Sequence, residues 1–176
     1  MTMNIVQKDD PVLRMIAKPI PNEQFGSTEL KSIIEKMSDV LAEQDDGVAL
    51  AAPQIGISLR IFVVSGKVFE MLYPDEAENK KYADLAFINP EIIKKSRTKK
   101  MVDEGCLSVR YLYGQIERST KAKVRAQDVN GKWFEIGGAG LLAQIFQHET
   151  DHLDGKLFID RAVDVEDIPP EKRKTE

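Results

Sequence analysis

The sequence predicts an α+β fold: antiparallel strands packed around a central helix that carries a His-Glu-x-x-His motif, with a further helix near the N-terminus. Three observations lead there. Two stretches show apolar residues at helical spacing, one stretch alternates strictly, and the helical and strand patterns are segregated along the chain instead of alternating as a parallel α/β fold requires. The first helix opens at Ser27 or Thr28, either able to cap it, with Glu29 well placed in its first turn. Its apolar face is Leu30, Ile33, Ile34, Met37, Val40 and Leu41, and it ends near Gln44, before Asp45-Asp46-Gly47. Arg60 to Val64 reads as a buried strand closed by Ser65-Gly66, and the polar stretch from Lys67 to Asp84 reads as a surface loop or insertion with room for a short helix. A second strand, Leu85 to Ile88, is expected to stop at Asn89-Pro90.

Lys121 to Gln127 sets Ala122, Val124 and Ala126 on one face and Lys123 and Arg125 on the other. Asn130-Gly131 is a turn signal, and Lys132 to Ile136 is the returning strand, on which Trp133 is expected to pack. The second helix opens near Gly138–Gly140, shows Leu141, Leu142, Ile145 and Phe146 on its apolar face, and closes at Gly155. Beyond Leu157-Phe158-Ile159 the chain is charged and holds Pro169-Pro170, which reads as a solvated, frayed tail from about residue 162.

A chain of 176 residues is the size of one domain, here taken as residues 1–176. With 42% hydrophobic residues it is too apolar for wholesale disorder, and its net charge of -4 argues against bulk attraction to nucleic acid. No sequence-specific nucleic-acid partner is expected. A single cysteine excludes an internal disulfide framework and fits a reducing compartment. No signal-like N-terminus and no apolar run of roughly 18 residues is seen, so the expectation is a cytoplasmic protein without membrane contact.

The rare residues carry the chemistry. The only histidines, His148 and His152, flank Glu149-Thr150-Asp151. Four residues apart on a helix, they project side by side, on the row that continues back to Ile145 and Leu141. Glu149 lies one position round and reaches a water held by an ion between the imidazoles. A hydrolytic metal site needs about three protein ligands and one open position. The longer metalloprotease pattern would place a third histidine where this chain has Phe158. Cys106, beside Gly105, and a downstream carboxylate such as Glu166 are the remaining candidates. A thiolate with two imidazoles suits zinc or ferrous iron alike.

Three segments resemble the motifs of the peptide deformylases, in the same order and spacing: Gly47-Val48-Ala49-Leu50-Ala51-Ala52-Pro53-Gln54-Ile55-Gly56, Glu104-Gly105-Cys106-Leu107-Ser108, and Gln147-His148-Glu149-Thr150-Asp151-His152-Leu153. The similarity extends from about Asp10-Pro11-Val12-Leu13-Arg14 to Asp160-Arg161. The resemblance implies hydrolysis of the N-formyl group from the initiator methionine of new peptides, releasing formate, with the ribosome as a transient contact. It implies Cys106, His148 and His152 as ligands to one Fe2+, for which Zn2+, Ni2+ or Co2+ would substitute. Glu149 would be the general base and later acid, and the side chain of Gln54 with the backbone N–H of Leu107 would stabilise the oxyanion. Val48, Ala49, Leu141 and Ile145 would meet substrate, Glu104 and Arg118 would brace the cysteine loop, and Asp151 would orient a ligand. The chain departs from the family at Ala49, where glycine is usual, and at Arg110-Tyr111, where Pro-Gly is common. It also lacks the long terminal helix of some members.

Overall fold

The structure, a computed structural model, describes residues 4–77 and 80–170. In chain order the elements are α1 (Thr28–Ala42), β1 (Ala49–Ala51), β2 (Ile61–Val64), α2 (Gly66–Leu72), α3 (Pro74–Ala77), β3 (Leu85–Lys95), β4 (Lys99–Gly105), β5 (Leu112–Ser119), β6 (Lys121–Gln127), β7 (Trp133–Ala139), α4 (Leu141–Leu153) and β8 (Val163–Asp167). The strands form two sheets, a five-stranded one in the order β1-β2-β3-β6-β7 and a three-stranded one in the order β4-β5-β8, and all strand pairs are antiparallel. The class is α+β, as expected.

The larger sheet is covered on both faces. On one side Leu142, Ile145, Phe146 and Leu153 of α4 pack with Phe62, Phe87, Val124 and Ala126. On the other, Leu30, Met37, Val40 and Leu41 of α1 pack with Leu50, Ile61, Val63 and Ile88. Burial of both faces explains why β2 is a continuous apolar run and not an alternating one. The Ser27 hydroxyl caps α1 by accepting from the Leu30 N–H at 3.1 Å. Beyond the C-terminal end of α4, Gly155 (φ 71°) turns the chain away, where a Cβ would meet the Arg14 carbonyl oxygen at 2.6 Å.

Three expectations are corrected. β3 does not stop at Asn89-Pro90 but continues to Lys95. Asn89 takes φ 49°, the register shifts between Ile88 and Glu91, and the Asn89 side chain bonds the backbone of Ile20 on both its N–H and C=O. The proline thus sits at a bulge, the one place inside a strand that tolerates it. The stretch after Ser65 is not only surface loop: it contains α2 and α3, and Val68 and Phe69 join the core. The charged tail is not frayed at its start, because Val163–Asp167 pairs as β8 along the edge of β5. Its side chains are all exposed, so only its backbone is engaged and its composition imitates a solvated terminus. Residues 171–176 lie outside the described residues.

Candidate metal centre

Helix α4 delivers His148, Glu149 and His152, and the turn after β4 delivers Cys106. Gly105, the last residue of β4, pairs with Tyr113 of β5, and a Cβ there would lie 2.5 Å from the Tyr113 ring. Glycine at that position lets the cysteine turn lie flat against β5. The Cys106 Sγ stands 3.2 Å from His152 Nε2, which is 3.2 Å from His148 Nε2. Among the described residues these three form the group able to hold an ion, with all ligand atoms within 4.8 Å of one another. Bonds of about 2.0–2.3 Å to nitrogen and sulfur fit donors that converge so closely. Glu166, the alternative third ligand, is exposed on β8 opposite Tyr113 and is no part of this group.

The other nitrogen of His148 is fixed from behind. His148 Nδ1 lies 2.6 Å from Glu104 Oε1, and Arg118 donates to both Glu104 oxygens. Arg118 and Glu104 are almost fully buried, so this is an interior ion pair with a shaping role, not a surface one. Gln144 adds a further donor to Glu104 at 3.1 Å, one helical turn before His148. Among the described residues, the Asp151 carboxylate bonds neither histidine. It accepts from Arg118 at 2.6 Å and from Arg161 at 2.7 Å, so it positions the arginine and not a ligand.

The electrostatics follow from this packing. Burial alone would raise the Glu104 carboxyl, but His148 and Arg118 outweigh it and bring it down to about 2. Burial opposes protonation of His148, yet Cys106 and Glu104 hold its pKa well above the ordinary histidine value. His152, buried and beside that charge, is pushed well below it. Glu149 is 3% exposed, and one of its oxygens has no hydrogen-bond partner among the described residues. Burial lifts its pKa to about 7. A carboxyl poised there can both take and return a proton.

Gln54 reaches the centre from a 3-10 turn after β1. Its Oε1 accepts the Ala51 N–H at 2.8 Å, which turns its Nε2 toward Ser108 Oγ at 3.2 Å and Cys106 Sγ at 3.6 Å. The donor end therefore faces the cysteine turn. A cleft of about 330 Å³ opens on these groups, lined by Val48, Ala49, Leu107, Leu141 and Ile145 together with Gln54, Cys106, His148 and Glu149. His152 lies behind the cleft wall, 1% exposed. Ala49 sits in extended β1, so its methyl group meets no positive-φ requirement there.

Four cleft residues escape sequence reading: Asp46, Asp103, Tyr113 and Gln144. Gln144 alone carried a signal, its position four residues before His148. Arg110, noted only as a departure, lines the mouth and binds Asp46 at 3.0 Å and the Gln44 side chain at 3.0 Å.

Residues 2–167 match the polypeptide deformylase family. A peptide deformylase of Thermotoga neapolitana is 43% identical over 164 residues, covering 93% of this chain and 85% of that protein. The chloroplastic peptide deformylase 1A of Solanum lycopersicum is 39% identical over 163 residues, and the chain spans only 58% of its length. Among solved structures, the class I type b peptide deformylase of Acinetobacter baumannii bound to Met-Ala-Ser superposes with a TM-score of 0.78. It is 32% identical, covering 92% of this chain and 98% of that one.

Proposed function

The chain belongs to the polypeptide deformylase family, hydrolases that remove the N-formyl group from the initiator methionine of newly made peptides, and we propose that it does so with the groups gathered on α4, the cysteine turn and the turn after β1. The observation that carries this reading is the convergence of Cys106, His148 and His152 beside a cleft that also presents Glu149 and Gln54.

Cys106, His148 and His152 hold one metal ion, Fe2+ by the family's habit, with Zn2+, Ni2+ or Co2+ able to replace it. Bound there, the ion supplies Lewis-acid polarisation and a nucleophilic water at neutral pH. Glu149 accepts the proton of the attacking water and returns it to the departing amine as the formyl C–N bond breaks. The Gln54 amide, its orientation set by Ala51, and the backbone N–H of Leu107 donate to the oxygen that gains charge on attack. Val48, Leu141 and Ile145 form an apolar wall for the methionine side chain, and Ala49 lines the cleft with them. Glu104 and Arg118 fix the His148 ring, so that its other nitrogen is aimed before substrate arrives.

Residues 1–176 act as one catalytic domain organised around α4, which the larger sheet covers on one side and the cysteine turn on another. Because the substrates are new peptides, the site of action is the cytoplasm, with transient contact at the ribosome. No helix among the described residues is long and apolar enough to cross a membrane. The test is turnover of formyl-Met-Ala-Ser by freshly reduced, iron-loaded protein. Stoichiometric formate with release of Met-Ala-Ser is expected. Intact formyl peptide, or cleavage at the Met-Ala bond, contradicts the reading.

A further inference from the structure

A second cavity, of about 650 Å³, lies on a different face of α4, between β3 of one sheet and β5 of the other. Its size is in the range of small-ligand sites. Six cationic side chains line it, Arg60, Lys95, Lys99, Arg118, Lys156 and Arg161, against four carboxylates. Three of those carboxylates are already engaged. Arg60 binds Asp154 at 3.0 Å, Lys99 binds Glu117 at 2.8 Å, and a single oxygen of Asp151 serves both Arg118 and Arg161. Only Glu91 remains, in a lining that also holds Lys95 and Lys156, neither of which has an ion pair among the described residues. The cavity is therefore left with positive charge in excess.

Two further features point to a ligand there. The Thr150 hydroxyl, on the α4 wall, is buried without a hydrogen-bond partner among the described residues. A buried hydroxyl left without a partner is costly, and an acceptor in the cavity would supply the missing bond. Arg118 is 4% exposed, which removes its guanidinium from the screening that weakens surface charges. Next to the rim, residues 94–100 carry Lys94, Lys95, Arg97, Lys99 and Lys100, a field that draws anions toward the opening.

We infer that this cavity is a second binding site, for a compact phosphate-bearing anion. Lys95 and Lys156 would supply the free charge, Thr150 a hydroxyl donor, and Arg118 and Arg161 the guanidinium groups now sharing one carboxylate oxygen. Arg118 also holds Glu104, which holds His148. An anion that draws Arg118 toward the cavity loosens that brace, so occupancy here and the state of the catalytic face are linked, and the linkage is reciprocal.

The probe is inorganic phosphate, titrated by calorimetry into metal-loaded protein, with chloride keeping ionic strength constant. Saturable binding of about one phosphate per chain is expected. It should weaken roughly tenfold or more in the double variant Lys95→Ala/Lys156→Ala, about 1.4 kcal/mol for two removed charges. Thr150→Val, a nearly isosteric change, should weaken it independently. Both variants should turn over formyl peptide at the wild-type rate when phosphate is absent, and phosphate should alter wild-type turnover without competing with peptide. Absence of saturable binding, equal affinity in wild type and both variants, or purely competitive inhibition would overturn the proposal. The binding readout requires no turnover, so its failure is separable from a failure of the deformylase reading.

Discussion

At the scale of single residues, the proposed roles divide the site into groups that hold and groups that react. Gln54 shows how much of this division lies beyond a linear reading. In the sequence it is one polar residue in a turn, and only the resemblance gave it a role. In the fold its oxygen is pinned by Ala51 and its nitrogen is turned toward Cys106 and Ser108, so it is a donor fixed in advance of any substrate. Gln54→Leu is expected to keep its metal and to lose roughly 10²–10³ in kcat, the usual effect of one such donor. Unchanged kcat would remove it from the reaction. Cys106 was legible as a candidate because it is the only cysteine, yet apart from the family resemblance nothing in the sequence joined it to residues more than forty positions away. The β4–β5 hairpin does that by carrying it to within 3.2 Å of His152. Cys106→Ala should therefore abolish tight metal binding, read as metal per chain after gel filtration. Retention of stoichiometric metal would return the third ligand to a carboxylate.

At the scale of elements, legibility followed burial. Helices α1 and α4 and the β6–β7 hairpin stood out because each buries one face and so writes a period into the sequence. Strands β4, β5 and β8 did not. Most of β4 and all of β8 face solvent, and their register is set by partners far away in the chain. The most consequential feature at this scale is the buried bridge from β5 to α4: Arg118 of β5 clamps Glu104 of β4, the pairing that the resemblance implied, and also Asp151 of α4, which nothing in the sequence joined to them. Arg118→Ala strips a buried carboxylate of its partner, and a loss of about 3–5 kcal/mol in unfolding free energy is expected from denaturant titration. Glu104→Gln should cost tenfold to a hundredfold in metal affinity, the common penalty for loosening a ligand from behind. It should also change the acid limb of stability. Glu104 has a folded value of about 2, below its unfolded value of 4.5. Its contribution is complete above about pH 4.5 and is lost as pH falls toward 2. Metal-free wild type should thus lose stability steeply across that window, and Glu104→Gln should lose less. Parallel acid limbs would show that Glu104 is not held as described.

At the scale of the whole molecule, two sheets meet along α4 and leave a cavity on each of two faces of that helix. One face holds a cysteine sulfur beside two imidazoles, and this donor set makes oxygen the natural hazard. Iron-loaded protein should lose activity in air through oxidation of iron or sulfur, whereas nickel-loaded protein should last longer under the same conditions. Equal half-lives would count against an iron–thiolate centre. The α+β class was legible from segregated patterns alone. The number of sheets was not, because local periodicity reports which face of a strand is buried and says little about which strand lies beside it. Asn89-Pro90 illustrates the limit: a local stop signal was absorbed as a bulge because Ile20 and Gln127 give the Asn89 side chain its partners.

On the proposed roles, α4 separates holding from chemistry within one turn: His148 and His152 hold the ion, and Glu149 moves protons. The most direct measurement pairs metal content with kcat on formyl-Met-Ala-Ser for Glu149→Gln and His152→Ala, both checked for folding. Glu149→Gln keeps size and hydrogen-bonding shape but cannot accept the water proton. It should retain near-stoichiometric metal and lose about 10²–10⁴ in kcat, the share of a general acid–base group. His152→Ala should lose most of its metal, since two ligands rarely make a tight site. Wild-type turnover in Glu149→Gln, or loss of its metal to the extent seen in His152→Ala, would contradict the account.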